Sequence, residues 1–402
     1  MRLQFEQINQ QVQIDDDDAL LSPLPSVFRY WPYQEATAST SDEPVVTVRR
    51  EGTGYRLFAR WRDKPPRYSN PVNLACGLAL NLNRAMLEQE RSYLCLHGAG
   101  LQIGGRLVVL PNYYRAGKSA LTVCLAAGGA RVFSDDILPL LPDGSGMALG
   151  VSPRLRLPLP AGLGERTLRF IKRRRGAVNA QYLYVQLEPH EQARFGETSD
   201  FGGFVLLDRR ESGPARLSPA SSGQVLKQVV LRNFARQVPA ETALDRLHDL
   251  VANSACYTLT YSNGDEAADL LMQRFTTGGT DVAKPADQRE ATALNSAPAA
   301  KVVPAGEYPR RRPGVRERLV DGDLFLVDGA GQAIYHLNPV GAGLWRLMDG
   351  SCGSDEVVSL LQEAFPDVEQ GVIARDVATI TADLLSRGLL YKGTDPAANC
   401  GN

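Results

Sequence analysis

Residues 105–140 read GRLVVLPNYYRAGKSALTVCLAAGGARVFSDDILPL, and their order decides the fold. An apolar run at 106–110 leads into a turn-rich segment from Pro111 to Ser119. An apolar stretch ending in two glycines follows, and then a second run that stops at Asp135 and Asp136. Strand, loop, helix, strand is the pattern of an open α/β sheet, whose ligands gather beyond the carboxyl ends of the strands. The loop closes on Ala116, Gly117, Lys118, Ser119 and Ala120. Lys118 supplies a point charge for the β- and γ-phosphates, the Ser119 hydroxyl suits Mg²⁺, and backbone N–H groups at the helix start face the anion. The front of the loop departs from GxxxxGK(S/T). Asn112 stands where the first glycine belongs, followed by Tyr113, Tyr114 and Arg115. Asparagine tolerates positive φ better than most non-glycine residues, whereas two tyrosines crowd the place where backbone curls around phosphate. Arg115 either adds a cation inside the loop or is a solvated side chain.

The whole chain has 402 residues, more than one ordinary core organises, which argues for two or three domains. Its formal net charge of −1 creates no field that gathers nucleic acid or anionic lipid, so the nucleotide expected at the loop is a small-molecule ligand. The six cysteines are scattered, with no CxxC and no Cys/His cluster, which argues against both a zinc site and a disulfide framework. No stretch reaches the ~18 apolar residues of a membrane span and the N-terminus lacks a signal-peptide core; a reducing cytoplasm is the expected setting. The acidic run Asp15–Asp18 lacks the glycine and distal glutamate of a calcium loop and reads as a solvated turn.

Outward from the opening stretch, residues 1–90 read as an N-terminal α+β part with strands at 45–48 and 55–61 and a helix over 70–90. Residues 91–275 read as the loop-bearing domain, with strands at 93–101, 106–111, 204–208 and 257–261 and helices near 223–236, 241–252 and 265–275. Residues 276–313 hold little that could form a core and read as a flexible linker. Residues 314–394 form a compact unit. In it a three-strand meander (316–320, 324–327, 333–337) precedes a helix signalled by Asn338, Pro339 and Gly350, and two further helices lie at 354–365 and 371–387.

Phosphoryl transfer needs charge neutralisation and a group that orients or deprotonates the acceptor. Asp135 and Asp136 sit at a strand end after the loop's helix, where adjacent carboxylates point different ways. One can hold Mg²⁺ while the other accepts a proton, and His97, ending a neighbouring strand, can hydrogen-bond the pair or the transferring group. Taken singly, Asp-Asp reads equally as a helix cap or turn, and His97 as a structural histidine.

With these residues in place, the chain resembles the HPr kinase/phosphorylase superfamily, which shares its P-loop core with phosphoenolpyruvate carboxykinases. The matching segments are 97–101, 116–119 and 128–136. The resemblance implies ATP and Mg²⁺, with His97 near the γ-phosphate, Asp135 or Asp136 as base, and Ser119 with the acidic pair on the metal. It also makes Arg156, within SerProArgLeuArgLeuPro (152–158), a phosphate or acceptor ligand. Relatives of that superfamily are often oligomeric, so a homo-oligomer is an expectation carried by resemblance alone. No counterpart of the longer loop that grips HPr is found, which argues against HPr as the acceptor.

The last unit resembles the PqqD-like peptide-recognition domains of ribosomally made, post-translationally modified peptide pathways, through residues 321–328, 334–350 and 376–390. Such domains add a precursor's leader peptide as an extra strand. Tyr335, Leu337 and Trp345 are expected in the core, and His336 on the outer face. The fold expected is therefore α/β, a P-loop kinase core with a mixed sheet, plus a small α+β winged-helix-like domain. The function expected is an ATP-dependent peptide Ser/Thr kinase whose C-terminal domain holds the leader. The alternatives are a catalytically weak nucleotide-binding scaffold that delivers a peptide to another enzyme, and a small-metabolite kinase.

Overall fold

The computed structural model describes residues 1–15, 18–36, 43–111, 116–235, 237–277, 309–350, 354–364 and 367–392. It is mixed α/β and divides into two compact units. The first comprises Met1–Ala220, Leu231–Val238 and His248–Val282; the second comprises Ser221–Val230, Pro239–Leu247 and Ala283–Asn402.

The first unit opens with β1 (Arg2–Phe5), β2 (Val12–Ile14), the short helices α1 (Asp18–Leu21) and α2 (Leu24–Val27), β3 (Tyr33–Ala36), β4 (Val46–Glu51), β5 (Gly54–Ala59) and β6 (Arg67–Tyr68). Its strands form a sheet in the order β3-β1-β2-β4-β5-β6. β4 and β5 alternate buried and exposed positions along much of their length, which is why they were legible as strands. Helix α3 (Pro71–Gln89) lies on this sheet. It starts where Asn70 Oδ1 accepts the Asn73 N–H at 2.9 Å, with Pro71 in the first turn.

Two further sheets meet at the site. β7 (Leu94–His97), β8 (Ala99–Ile103) and β9 (Arg106–Leu110) lead to helix α4 (Lys118–Ala127), then β10 (Arg131–Ser134), β11 (Ile137–Leu140) and β12 (Gly146–Met147). After β13 (Arg154–Arg156) come α5 (Glu165–Arg173), β14 (Arg175–Val178), β15 (Tyr182–Val185), β16 (Thr198–Ser199), β17 (Phe201–Arg209), β18 (Arg216–Pro219), helices α6 (Ser222–Arg232) and α7 (Ala240–Ala252), β19 (Ala255–Tyr261) and α8 (Gly264–Thr277). One sheet runs β10-β8-β9-β17-β19-β18, another β16-β12-β11-β7, and a small one β13-β15-β14. The stretch 93–101, expected to be one strand, is two strands that change sheet at Gly98. The run 131–140 likewise changes sheet at Asp135 and Asp136.

β9, β17 and β19 are parallel, so Leu110, Arg209 and Tyr261 end on one side of the sheet. β9 and β10 are both antiparallel to β8, and α4 connects them across it. α4 is buried nearly all round, from Leu121 to Ala126, against the sheet, α5 and α8.

In the second unit, β21 (Arg316–Val320), β22 (Asp323–Val327) and β23 (Ile334–Leu337) form the meander and α9 (Pro339–Leu347), α10 (Ser354–Ala364) and α11 (Gln370–Ser386) the helices. A short ribbon pairs β20 (Pro309–Arg311), inside the stretch read as a linker, with β24 (Leu390–Lys392). The core joins Leu324 and Leu326 to Trp345, Ile373, Val377 and Leu384. β22 is buried along Leu324–Val327 without alternation, so both its faces are covered. The α6 segment of this unit lies against one of them. A Cβ at Gly223 would stand 2.5 Å from Val320 O and 2.8 Å from Asp323 Oδ2, so only glycine lets that helix approach so closely. Arg316 and Arg318 on β21 form ion pairs with Glu241 and Asp245 at the start of α7.

Candidate functional site

The site forms where both chain corners of the first unit meet. β11 pairs with β7 so that Ile137 stands opposite His97, which brings the residue before Ile137 beside the imidazole: His97 Nε2 lies 2.6 Å from Asp136 Oδ1. The corners are also fastened by backbone. Gly98 N–H donates to Asp136 O at 3.0 Å, and the Ser134 hydroxyl lies 3.0 Å from Gly98 O and 2.7 Å from Ile137 O. His97 and the acidic pair, 38 residues or more apart in the chain, are thus held together by strand register.

Asp135 turns inward. Its Oδ2 accepts the Arg154 N–H at 3.0 Å, while Oδ1 is buried without a hydrogen-bond partner. Burial raises its carboxyl pKa to about 6; the Arg154 N–H and the Ser119 hydroxyl oppose that rise and the neighbouring Asp136 adds to it. Burial works against the Asp136 charge too, but the His97 hydrogen bond, with the nearby Arg154 and Lys118 cations, outweighs it and holds that carboxyl below its ordinary range. The two carboxylates are therefore electrically different.

Gly117 caps α4 at φ +95°, a left-handed conformation, and a Cβ there would stand 2.9 Å from Tyr261 Oη. Both facts require glycine. Lys118 follows, 8% exposed; burial lowers its pKa, partly offset by Asp136 and Asp135. A cavity of about 430 Å³ gathers these groups: His97, Gly117, Lys118, Ser119, Asp136 and Arg156 all line it, as do Ala116 and Ala120. Asn112, Tyr113, Tyr114 and Arg115 lie outside the described residues.

Several members of this cavity were not singled out from sequence: Arg154, Tyr182 and Arg209. The Arg154 guanidinium lies 4.5 Å and that of Arg156 5.7 Å from the centre of the Tyr182 ring, a cation–π arrangement. Register explains it, because β13 pairs with β15 so that Arg156 faces Tyr182 and Arg154 faces Tyr184. Burial opposes the Arg154 charge, yet Cys76, Tyr184 and the two aspartates hold the guanidinium more firmly protonated than usual. The alternation Arg154-Leu155-Arg156 was the available signal for Arg154.

A second, smaller cavity of about 230 Å³ adjoins the first and shares Ser119, Asp136 and Arg154 with it, but Asp135 lines only this one. Among the described residues, no group of three or more His, Cys, Asp and Glu side chains is placed to hold a metal. No helix among them is long and apolar enough to cross a membrane.

In the second unit, Trp345 is fully buried and Tyr335 and Leu337 pack against the core. His336 departs from the expected outer face. Its Nε2 lies 2.6 Å from Asp323 Oδ1, both side chains are 13% exposed, and its ring lies 5.2 Å from that of Phe325. The physical reason is that this face of the meander is covered, as the fit of Gly223 against Asp323 shows. β21 and β23 each pair only with β22 among the described strands. β21 is engaged by α7 through two ion pairs, whereas β23 lies toward α11, with the Arg387 guanidinium 5.3 Å from the centre of the Tyr335 ring.

Comparison with known proteins bears on this second unit. No curated protein matches the chain. Several solved chains resemble part of it, among them two with a bound peptide in their descriptions. One, described as TbiB1 in complex with the TbiA(beta) leader peptide, is 20% identical over 21% of this chain and 99% of that one, at a TM-score of 0.20. The other, described as lasso peptide synthetase B1 complexed with the leader peptide, is 23% identical over 21% of this chain and 96% of that one, also at 0.20. Residues 323–390 match the family model for coenzyme PQQ synthesis protein D (PqqD), and the C-terminal part of this chain is accordingly a PqqD-like domain.

Proposed function

We propose that the chain transfers the terminal phosphoryl group of ATP to a serine or threonine hydroxyl of a peptide whose leader is held by the PqqD-like domain. The observation that carries this reading is the convergence, around one cavity, of a glycine-capped helix start, buried Lys118, Ser119 and an acidic pair fastened to His97. The triphosphate would lie at the N-terminus of α4, where backbone N–H groups point outward. Lys118, buried at the helix start and facing the same cavity, supplies a cation for an arriving anion. Arg156 and Arg209 line the same cavity and suit the remaining phosphate charge.

The donor set fits Mg²⁺, which favours oxygen ligands and keeps water and phosphate in its shell. The Ser119 hydroxyl and the carboxylates of Asp135 and Asp136 are the residues that would hold it, oxygen donors that line the two adjoining cavities. When bound, the ion neutralises phosphate charge. The acceptor oxygen attacks the γ-phosphorus, the bond to the β–γ bridging oxygen breaks, ADP departs with that electron pair, and the acceptor proton passes to a carboxylate. Asp135 suits that step better, because Asp136 is committed to His97 and its proton affinity is lowered.

The leader would add to the β23 edge beside α11, by main-chain hydrogen bonding, since β21 is already engaged by α7. Incubation with [γ-³²P]ATP, Mg²⁺ and a leader-bearing precursor peptide tests the reading. Label is expected in serine or threonine and lost in Asp135→Asn. Tight leader binding without any label transfer would defeat the kinase assignment and favour a scaffold.

A further inference from the structure

The smaller cavity next to the acidic pair holds two buried polar atoms without partners. Asp135 Oδ1 is one, and the other is the hydroxyl of Ser152, a residue only 2% exposed. Unpaired buried polar atoms cost free energy, and here both border the same empty volume. The rest of the wall is largely apolar, with Leu80, Phe133, Leu149 and Val151 among its members. Leu80 is 45% exposed on α3. At about 230 Å³ the space is smaller than the roughly 300–1,000 Å³ of sites that enclose a whole small molecule. It suits a fragment of a larger ligand.

We infer that this cavity receives the acceptor segment itself: a serine or threonine whose adjacent residue is apolar and no larger than leucine or methionine. The hydroxyl meets Asp135 Oδ1, the peptide backbone meets the Ser152 hydroxyl, and the neighbouring side chain fills the apolar wall. The inference rests on the phosphotransfer reading and adds a substrate preference to it. Nucleotide and acceptor then approach the acidic pair from two different cavities that share Ser119, Asp136 and Arg154. A charged neighbour placed against Leu80, Phe133, Leu149 and Val151 would lose its hydration without gaining a partner there, which is costly.

Two measurements on the full chain test this. The first compares phosphorylation, with ATP and Mg²⁺, of two leader-bearing precursor peptides whose acceptor segments read Ala-Leu-Ser-Leu-Ala and Ala-Asp-Ser-Asp-Ala. The Leu-flanked peptide is expected to have at least about tenfold higher kcat/KM, and Ala79→Leu, which narrows the cavity from α3, should bring the ratio toward one. The second uses Cys76, a half-buried free thiol on the wall. Its alkylation by N-ethylmaleimide, followed by mass spectrometry, should slow in the presence of the Leu-flanked peptide and not the Asp-flanked one. Equal phosphorylation of both peptides with no shielding of Cys76 overturns the pocket and leaves the kinase reading standing. Shielding of Cys76 by the Leu-flanked peptide without label transfer supports the pocket and defeats the kinase reading. Neither shielding nor transfer overturns both.

Discussion

At Asp135 and Asp136, adjacent carboxylates meet different surroundings, and the difference sets how the protein should respond to pH. With its pKa raised to about 6, Asp135 is uncharged below that pH, so phosphoryl transfer is expected to rise with pH through about 6. Asp135→Asn should lower kcat by about 100-fold or more. The sign for stability is opposite. A carboxyl whose folded pKa exceeds its unfolded value favours folding while protonated, and that contribution is lost as pH rises from about 4 through about 6. Asp135→Asn should therefore raise stability at pH 8, by on the order of 3 kcal/mol, and leave it nearly unchanged at pH 4; the shift of the thermal midpoint at the two pH values checks this. Gly117→Ala tests the loop. Left-handed φ and the closeness of Tyr261 Oη predict a loss of roughly 1–3 kcal/mol with weaker ATP binding. Tyr261→Phe should recover the clash but not the backbone strain, as urea titrations of the single and double variants would reveal.

Among the elements, α3 carries one wall of the proposed acceptor cavity, and its start depends on Asn70, whose Oδ1 also accepts from Asn179 Nδ2 at 2.8 Å. Asn70→Ala is expected to cost about 1–2 kcal/mol, read as a shifted urea midpoint. How much of the site could be read from sequence divides along the same lines. Lys118, Ser119 and the acidic pair were legible because they belong to one local strand-loop-helix-strand pattern. His97 was legible as the end of a neighbouring strand, although the switch of sheet at Gly98 was not, because both halves of 93–101 are apolar and buried and nothing in composition marks the corner. Arg154, Tyr182, Arg209 and Ser152 reach the site through pairings between distant segments, β13 with β15 and β17 with β9 and β19, which no local periodicity encodes. β22 shows a subtler failure. Its unbroken Leu324-Phe325-Leu326-Val327 signals a strand covered on both faces, yet His336 opposite Phe325 was assigned to an outer face.

Taken as a whole molecule, the chain contributes 221–230 and 239–247 to the second unit long before the PqqD-like segment begins. Removing residues 309–392 is thus expected to expose apolar surface on those helices and yield aggregation-prone protein, detected by light scattering; Arg387→Ala should instead leave the protein soluble and weaken leader binding. A similar logic governs the two cavities that join at Ser119, Asp136 and Arg154. With separate chambers for donor and acceptor, neither substrate must leave before the other enters, and no side chain has to carry the phosphoryl group between them. Initial-rate plots against ATP at several peptide concentrations should therefore intersect rather than run parallel, with no phosphorylated protein accumulating when peptide is withheld.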